Sequence, residues 1–231
     1  MSSYYPVYLE LKDQPCIVVG GGKIAEGKVD GLLGADAVVK VISPELTPRL
    51  KNLLEHKQIE HIPRAYQSGD LAGAFLVFGA TDRAAINHQV WEEAVANRQL
   101  VNVVDDTPFC NFIMPSVLRK GNLTIAISTA GRAPALAVRL KERLDNELGP
   151  EYERFLELAG KLREPLARHI PNFEVRKALW YQLVDSEVLD VLARGDTAAA
   201  KELISQIVGF EFDPAPANVP QDFIPTSVDA G

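Results

Sequence analysis

Ile17-Val18-Val19-Gly20-Gly21-Gly22-Lys23-Ile24-Ala25-Glu26-Gly27-Lys28 runs a short β-branched apolar stretch straight into three glycines and then into a helical pattern. Strand, glycine turn and helix in that order make the phosphate-binding turn of a dinucleotide fold. Read as G-x-G-x-x-A, Gly20 permits the tight turn, Gly22 lets the backbone approach a pyrophosphate, and Ala25 lets helix pack closely on strand. A helix opening near Lys23 aims free N–H groups and the positive end of its dipole at the anion. Glycine-rich turns also join strands to helices for steric reasons alone. Context favours the ligand: a second apolar run, Val38-Val39-Lys40-Val41-Ile42, follows at the distance of a βαβ unit.

Outward from that turn, strand and helix patterns alternate: strand 15–20, helix 23–34, strand 38–42, helix 45–54, strand 58–62, strand 74–79, helix 83–97 and strand 100–104. The expected fold is therefore α/β, a Rossmann-type doubly wound parallel sheet with helices on both faces. Extended runs at 112–118 and 123–128 flank a turn, Arg119-Lys120-Gly121-Asn122. From Pro134 to Val208 the pattern is helical, punctuated by Gly149-Pro150, Pro165, Ile170-Pro171 and Gly195-Asp196. The expected division is a nucleotide domain over 1–112, an extended dimerisation and substrate segment over 113–148, a helical region over 149–212, and an unstructured proline-rich tail over 213–231. The apolar strands of the middle segment have no place in a sheet complete without them. Pairing with a second copy would bury them, so a homodimer is expected.

Composition narrows the function. A net charge of −7 argues against nucleic acid or an anionic membrane as partner. The N-terminal stretch MSSYYPVYLELKDQP has neither a basic nor an apolar signal region, and no run is long enough to span a bilayer, so a cytoplasmic location is expected. Of the two cysteines, Cys16 falls in a strand and Cys110 in a loop, and both are expected to be packed thiols. The histidines at 56, 61, 88 and 169 have no partner at metal-ligand spacing, and no G-x-S-x-G elbow occurs, so neither a resident metal nor a serine nucleophile is expected.

Ligands of an open parallel sheet bind beyond the carboxyl ends of its strands. Three polar clusters fall there: Ser43-Pro44-Glu45, Thr81-Asp82 and Asp105-Asp106. The ribose-binding acid is usual roughly 20 residues past the glycines; here that place holds Ser43, with Glu45 beyond. Lys40 nearby leaves a phosphorylated cofactor open. Thr81-Asp82 reads equally as a helix cap, and Asp105-Asp106 as turn residues before Thr107-Pro108. As strand neighbours, only one of the two aspartates faces the cleft. Asn102 is expected to be a satisfied structural amide. From Met114 to Arg143, six cations (Arg119, Lys120, Arg132, Arg139, Lys141 and Arg143) face Glu142 alone, a balance of +5 within an acidic chain. Helix-dipole complementation accounts for the last three. Arg119, Lys120 and Arg132, expected in loops, point to a polyanionic small substrate.

The succession GGGKIAEGKVDGLL, ATD, NVVDDTPFCNFIMPS and LTIAISTAGRAPALAVRLKERL resembles the precorrin-2 dehydrogenase/sirohydrochlorin ferrochelatase family, over about residues 5–147. The resemblance implies an NAD-dependent enzyme of siroheme biosynthesis, dimeric, acting on a polycarboxylate tetrapyrrole. Some members also insert Fe²⁺, as substrate, into the product. It further implies that Gly20, Gly22, Lys23 and Ile24 meet the pyrophosphate, Ser43, Pro44 and Glu45 the adenosine side, that Asp105 is the acid–base residue and that Ser128 lines the tetrapyrrole site. At this chain length no uroporphyrinogen methyltransferase module is expected to follow. Two alternatives stand beside it: a dehydrogenase without chelatase activity, and a non-enzymatic NAD-binding regulatory module.

Overall fold

The computed structural model describes residues 4–104 and 106–214. Five parallel strands, β1 (Pro15–Val19), β2 (Val38–Ile42), β3 (Ile59–Ile62), β4 (Leu76–Gly79) and β5 (Leu100–Val103), form one sheet in the order β3-β2-β1-β4-β5. Helices α1 (Lys23–Leu33), α2 (Pro48–Glu55) and α3 (Ala84–Ala96) connect them. Strand β1 alternates between two buried faces. Cys16 and Val18 join Val39, Val41, Leu76 and Phe78 beneath Ala25, Val29 and Leu32 of α1 and Leu50 of α2. Ile17 and Val19 join Ile42, Val77 and Val101 beneath Val90 and Ala94 of α3, with Tyr66 and Leu71. Burial on both faces is why these strands read as continuous apolar runs, each large side chain contributing about 1.5–3 kcal/mol.

Helix α2 begins later than the expected position 45. Thr47 Oγ1 accepts from Leu50 N, and Pro48 opens the first turn, so Pro44 and Glu45 are left in an exposed loop. The open edge of β5 is covered by the segment that follows it: Val101 N donates to Asn111 Oδ1 (2.8 Å), and Asn111 Nδ2 to Gln99 O (2.8 Å). Asn102 is the satisfied amide expected, donating to Phe112 O at 3.0 Å.

The second half contains a two-stranded antiparallel sheet, β6 (Ser116–Lys120) with β7 (Leu123–Ile127), and five helices, α4 (Pro134–Glu147), α5 (Glu151–His169), α6 (Phe173–Val184), α7 (Val188–Ala193) and α8 (Thr197–Val208). Asn172 and Asp196 cap α6 and α8, at the Ile170-Pro171 and Gly195-Asp196 breaks. Pro165 does not break the chain as expected. It lies inside α5, whose buried face Leu158, Leu162 and Leu166 holds the helix together in its own apolar cluster.

By internal contacts the chain forms two compact units, Met1–Pro115 with Ser128–Pro134, and Ser116–Ile127 with Ala135–Gly231. This differs from the expected divisions at 112 and 148. The hairpin groups with the helices, tied by an ion pair from Lys120 to Asp145 of α4 and by Gly121 packing on Glu153 of α5. Of the tail expected to be unstructured, Asp213 and Pro214 are held by Lys201 Nζ, at 2.8 and 3.3 Å. Positions 215–231 lie outside the described residues.

Candidate functional site

The carboxyl ends of the strands are level. Gly20 N donates to Ile42 O, Ala80 N to Val19 O, Val104 N to Gly79 O and Ser43 N to Ile62 O. Gly20, Ser43, Ala80 and Val104 therefore form one row along the sheet rim, and Pro44-Glu45 and Thr81-Asp82 follow immediately beyond it. The order β3-β2-β1-β4-β5 reverses between β1 and β4, which makes the turn after β1 the switch-point crevice of this sheet.

The three glycines do three different jobs. Gly20 has φ +130°, and a Cβ there would run into the Ala80 carbonyl. A Cβ at Gly21 would run into the Glu45 carbonyl and the Ser43 side chain. At Gly22 a Cβ would meet nothing within 4 Å. Gly22 is the N-cap of α1 and no side chain caps that helix, so its first N–H groups have no intrahelical acceptor. Gly22, Lys23 and Ile24 are exposed, whereas Ala25 is fully buried against the sheet. Open space over an uncapped helix start fits a dinucleotide pyrophosphate.

Lys23 extends into solvent and pairs with Glu26 at 2.7 Å. Burial alone would push the Glu26 carboxyl up; hydrogen bonds from Lys23 and Thr47 overcome that and hold it below the usual carboxylate range. Thr47 N also donates to Gly21 O (3.1 Å), so Thr47 links the loop after β2 to both the glycine turn and α1. The structure turns Ser43 inward: it is 7% exposed, and its hydroxyl donates to Glu45 O at 2.7 Å. Its carbonyl accepts from His61 Nε2 at 2.8 Å. Pro44 and Glu45 are exposed at the rim.

Beyond β4, Thr81 rather than Asp82 organises the start of α3. Thr81 Oγ1 accepts from Arg83 N (3.2 Å) and donates to Asn87 Oδ1 (2.7 Å), while buried Asn87 donates back to Thr81 O (2.9 Å). Asp82 is exposed and makes no cap. Beyond β5, Asp105 lies outside the described residues. Its neighbour Asp106 donates its N–H to Val103 O, and its carbonyl accepts from Phe109 N. Cys110 Sγ donates to Val103 O (3.2 Å) and Asp106 O (3.3 Å); burial pushes this thiol up, so it is packed and protonated. Lys28 of α1 sits over the Phe78 ring, 5.3 Å from its centroid. Among the described residues no three His, Cys, Asp or Glu side chains come together as a metal site, and no helix is long and apolar enough to cross a membrane.

The basic residues are distributed differently from expectation. Arg119 and Lys120 stand in β6 opposite Thr124 and Leu123, not in a loop, because the hairpin closes tightly over Gly121-Asn122. Arg119 is exposed; Lys120 Nζ is 2.5 Å from Asp145. Ser128 and Arg132 belong to the other unit, in an exposed loop where Ala130 (φ +51°) and Gly131 (φ +77°) are both left-handed. Ser128 Oγ accepts from Ala130 N at 3.1 Å, and Thr129 Oγ1 from Ala133 N at 3.2 Å.

Sequence reading missed Gly21, Thr47, Glu26 and His61. Only Thr47-Pro48 carries a local signal, that of a helix cap followed by a first-turn proline.

Comparison with known proteins agrees with this geometry. Residues 7–116 match a family described as putative NAD(P)-binding, 120–147 the central region of sirohaem biosynthesis proteins, and 151–207 the sirohaem synthase dimerisation region. The dimerisation match thus covers the helices rather than 113–148. The siroheme synthase of Photobacterium profundum is 39% identical over 86% of this chain and 42% of its own length. Siroheme synthase 1 of Serratia proteamaculans is 36% identical over 88% of this chain and 43% of its own. The chain thus spans well under half the length of these relatives. A solved structure of SirC, precorrin-2 dehydrogenase, superposes with a TM-score of 0.75 at 26% identity, covering 90% of this chain and all of that one. An NAD(P)-binding region and two sirohaem regions thus follow one another in unbroken order, and over most of its length the chain is similar to the siroheme synthases and to the SirC structure.

Proposed function

We propose that the protein is an NAD-dependent precorrin-2 dehydrogenase that forms sirohydrochlorin in siroheme biosynthesis. The observation that carries this reading is the uncapped start of α1 beneath the open face of Gly22, at the switch point of the sheet. NAD⁺, when bound, supplies the acceptor for the hydride leaving precorrin-2. The chain's residues do the rest. The N–H groups at Gly22, Lys23 and Ile24 hold the pyrophosphate. The exposed Pro44-Glu45 turn receives the adenosine ribose, with Ser43 bracing it from inside. The Thr81-Asp82 turn, held by Asn87, walls the opposite side of the crevice. Asp105, the residue that follows Val104 in the sequence, accepts the proton lost as the carbon framework is oxidised.

The substrate's carboxylates are assigned to Arg119, Lys120, Ser128 and Arg132. In this reading the same carboxylate, Asp105, also takes pyrrole protons when Fe²⁺ enters sirohydrochlorin as substrate. A homodimer completes the enzyme: β6 and β7 pair only with each other among the described residues, and α4 and α6 carry exposed Leu136, Val138, Phe173, Val175 and Tyr181. The reading places the protein in the cytoplasm. Its test is direct. Purified protein mixed with precorrin-2 and NAD⁺ should develop the absorbance of sirohydrochlorin; bound NAD⁺ with no turnover would favour a regulatory module.

A further inference from the structure

We propose that His61 is a positioning residue for the adenosine end of the dinucleotide, acting through the main chain of Ser43. The inference rests on the NAD reading above, and it concerns how the ribose-binding turn is held without the customary strand-end acid.

Strands β2 and β3 pair in parallel with Val41 opposite His61, and the ladder runs one step past β2 through Ser43 N–H to Ile62 O (3.2 Å). There β3 stops, because the N–H of Arg64, which would answer the Ser43 carbonyl in a continued parallel ladder, turns back to donate to Ile62 O at 2.9 Å. The Ser43 carbonyl therefore has no strand partner on that side. The imidazole of His61 reaches forward to take its place, with Nε2 2.8 Å from Ser43 O, and this bond fixes Nε2 as the protonated nitrogen. All three polar groups of Ser43 are then engaged: N–H to Ile62, C=O from His61, Oγ–H to Glu45 O. The last bond holds the Glu45 carbonyl against the face of Gly21, while Thr47 N–H closes on Gly21 O from the other side.

The consequence is a rigid turn whose buried residue, Ser43, is used up internally and whose exposed residues, Pro44 and Glu45, face outward at a set height above the glycine turn. A loop fixed before the ligand arrives binds more tightly than one that must be ordered on binding. Losing the imidazole leaves the buried Ser43 carbonyl without its donor. The turn then gains by swinging toward water, away from Gly21.

Calorimetric titration of the full chain with NAD⁺ and with ADP-ribose tests this. His61→Ala should weaken both about tenfold, and by the same factor, since ADP-ribose retains the adenosine end. At saturating NAD⁺ the turnover should be unchanged, so that KM moves and kcat does not. His61→Gln, which restores an N–H donor of similar reach, should return affinity to within about threefold of the unaltered protein, a rescue that a packing role would not produce. Should His61→Ala fail to fold, His61→Phe against His61→Gln decides, because the phenyl ring keeps the bulk and lacks the donor; Phe must bind weakly and Gln normally. Unaltered NAD⁺ affinity in His61→Ala or His61→Phe, or equal losses in Gln and Phe, overturns the proposal. Gly22→Asp in parallel separates the two layers. NAD⁺ binding that survives Gly22→Asp defeats the dinucleotide reading itself, whereas its loss there with intact binding in the His61 variants defeats only the positioning role.

Discussion

The carbonyl oxygen of Glu45 fills the space that a Cβ at Gly21 would occupy. Two loops far apart in sequence thus cross with main chain on main chain, and the crossing sets where the helix start of α1 opens to solvent. Gly22, one residue on, has empty space above it. The middle glycine therefore belongs to the architecture, and the third leaves the space that the proposed function gives to the dinucleotide.

This separation predicts opposite phenotypes for adjacent substitutions. Gly21→Ala should lower stability by about 1–3 kcal/mol, the usual cost of forcing atoms into a packed contact, and should shift the thermal midpoint by several degrees. Gly22→Asp should melt as the unaltered protein does yet lose NAD⁺ binding, through bulk and through repulsion of the pyrophosphate. Differential scanning calorimetry with and without NAD⁺ reads both. Equal melting losses for the two variants would contradict the division.

Asp105 and Asp106 should differ in kind. Asp105→Asn preserves size and removes the base, so dehydrogenation should fall by about 10²-fold or more, while Asp106→Asn should cost far less. Iron insertion into supplied sirohydrochlorin, measured without NAD⁺, should fall with Asp105→Asn if one carboxylate serves both steps. Insertion that persists while dehydrogenation is lost would assign the two steps to different groups.

The basic residues make a separable prediction. Arg119→Glu should raise KM for the tetrapyrrole and leave that for NAD⁺ nearly unchanged. Lys120→Glu should do the same and in addition lose up to about 1 kcal/mol of stability, because it also breaks the partly exposed pair with Asp145. Asp145→Lys in the Lys120→Glu background should restore the stability without restoring the substrate KM. Recovery of both together would assign Lys120 to the hairpin alone.

Glu26 links the site to pH. Its carboxyl is held below the usual range in the folded protein, so it adds stability above the ordinary carboxylate pKa, and that contribution fades as pH falls through the lowered value. Urea unfolding at pH 7 should show Glu26→Gln less stable than the unaltered protein. The gap should narrow in acid and close once the carboxyl is protonated in both states. A gap independent of pH would mean that the substitution acts through packing.

Association should follow from the second unit. Light scattering is expected to give twice the 25.3 kDa chain mass. A fully active monomer at micromolar concentration would remove the dimer from the proposal.

Much of this was legible in the chain itself. Apolar runs of parallel strands buried on both faces, three glycines ahead of Ala25, and helix patterns between them determined the sheet, its order of elements and the location of the phosphate turn, because each is a local signal of period or of backbone freedom. Polar residues at strand ends were equally visible as candidates. What each candidate does was decided by tertiary structure. Ser43 reads as a ribose contact, yet its hydroxyl is turned in on Glu45 because the loop after β2 must cross Gly21. Asp82 reads as a cap, yet no side chain caps α3, and Thr81 and Asn87 hold the turn that leads into it. Lys120 reads as a loop cation, yet it stands in β6 against Asp145. His61 gave no signal at all, since its partner, the Ser43 carbonyl, is a main-chain atom on another strand. Local sequence determines which backbone conformations are available; which side chain meets which main-chain atom depends on where distant segments cross, and only the folded chain brings them within hydrogen-bond reach.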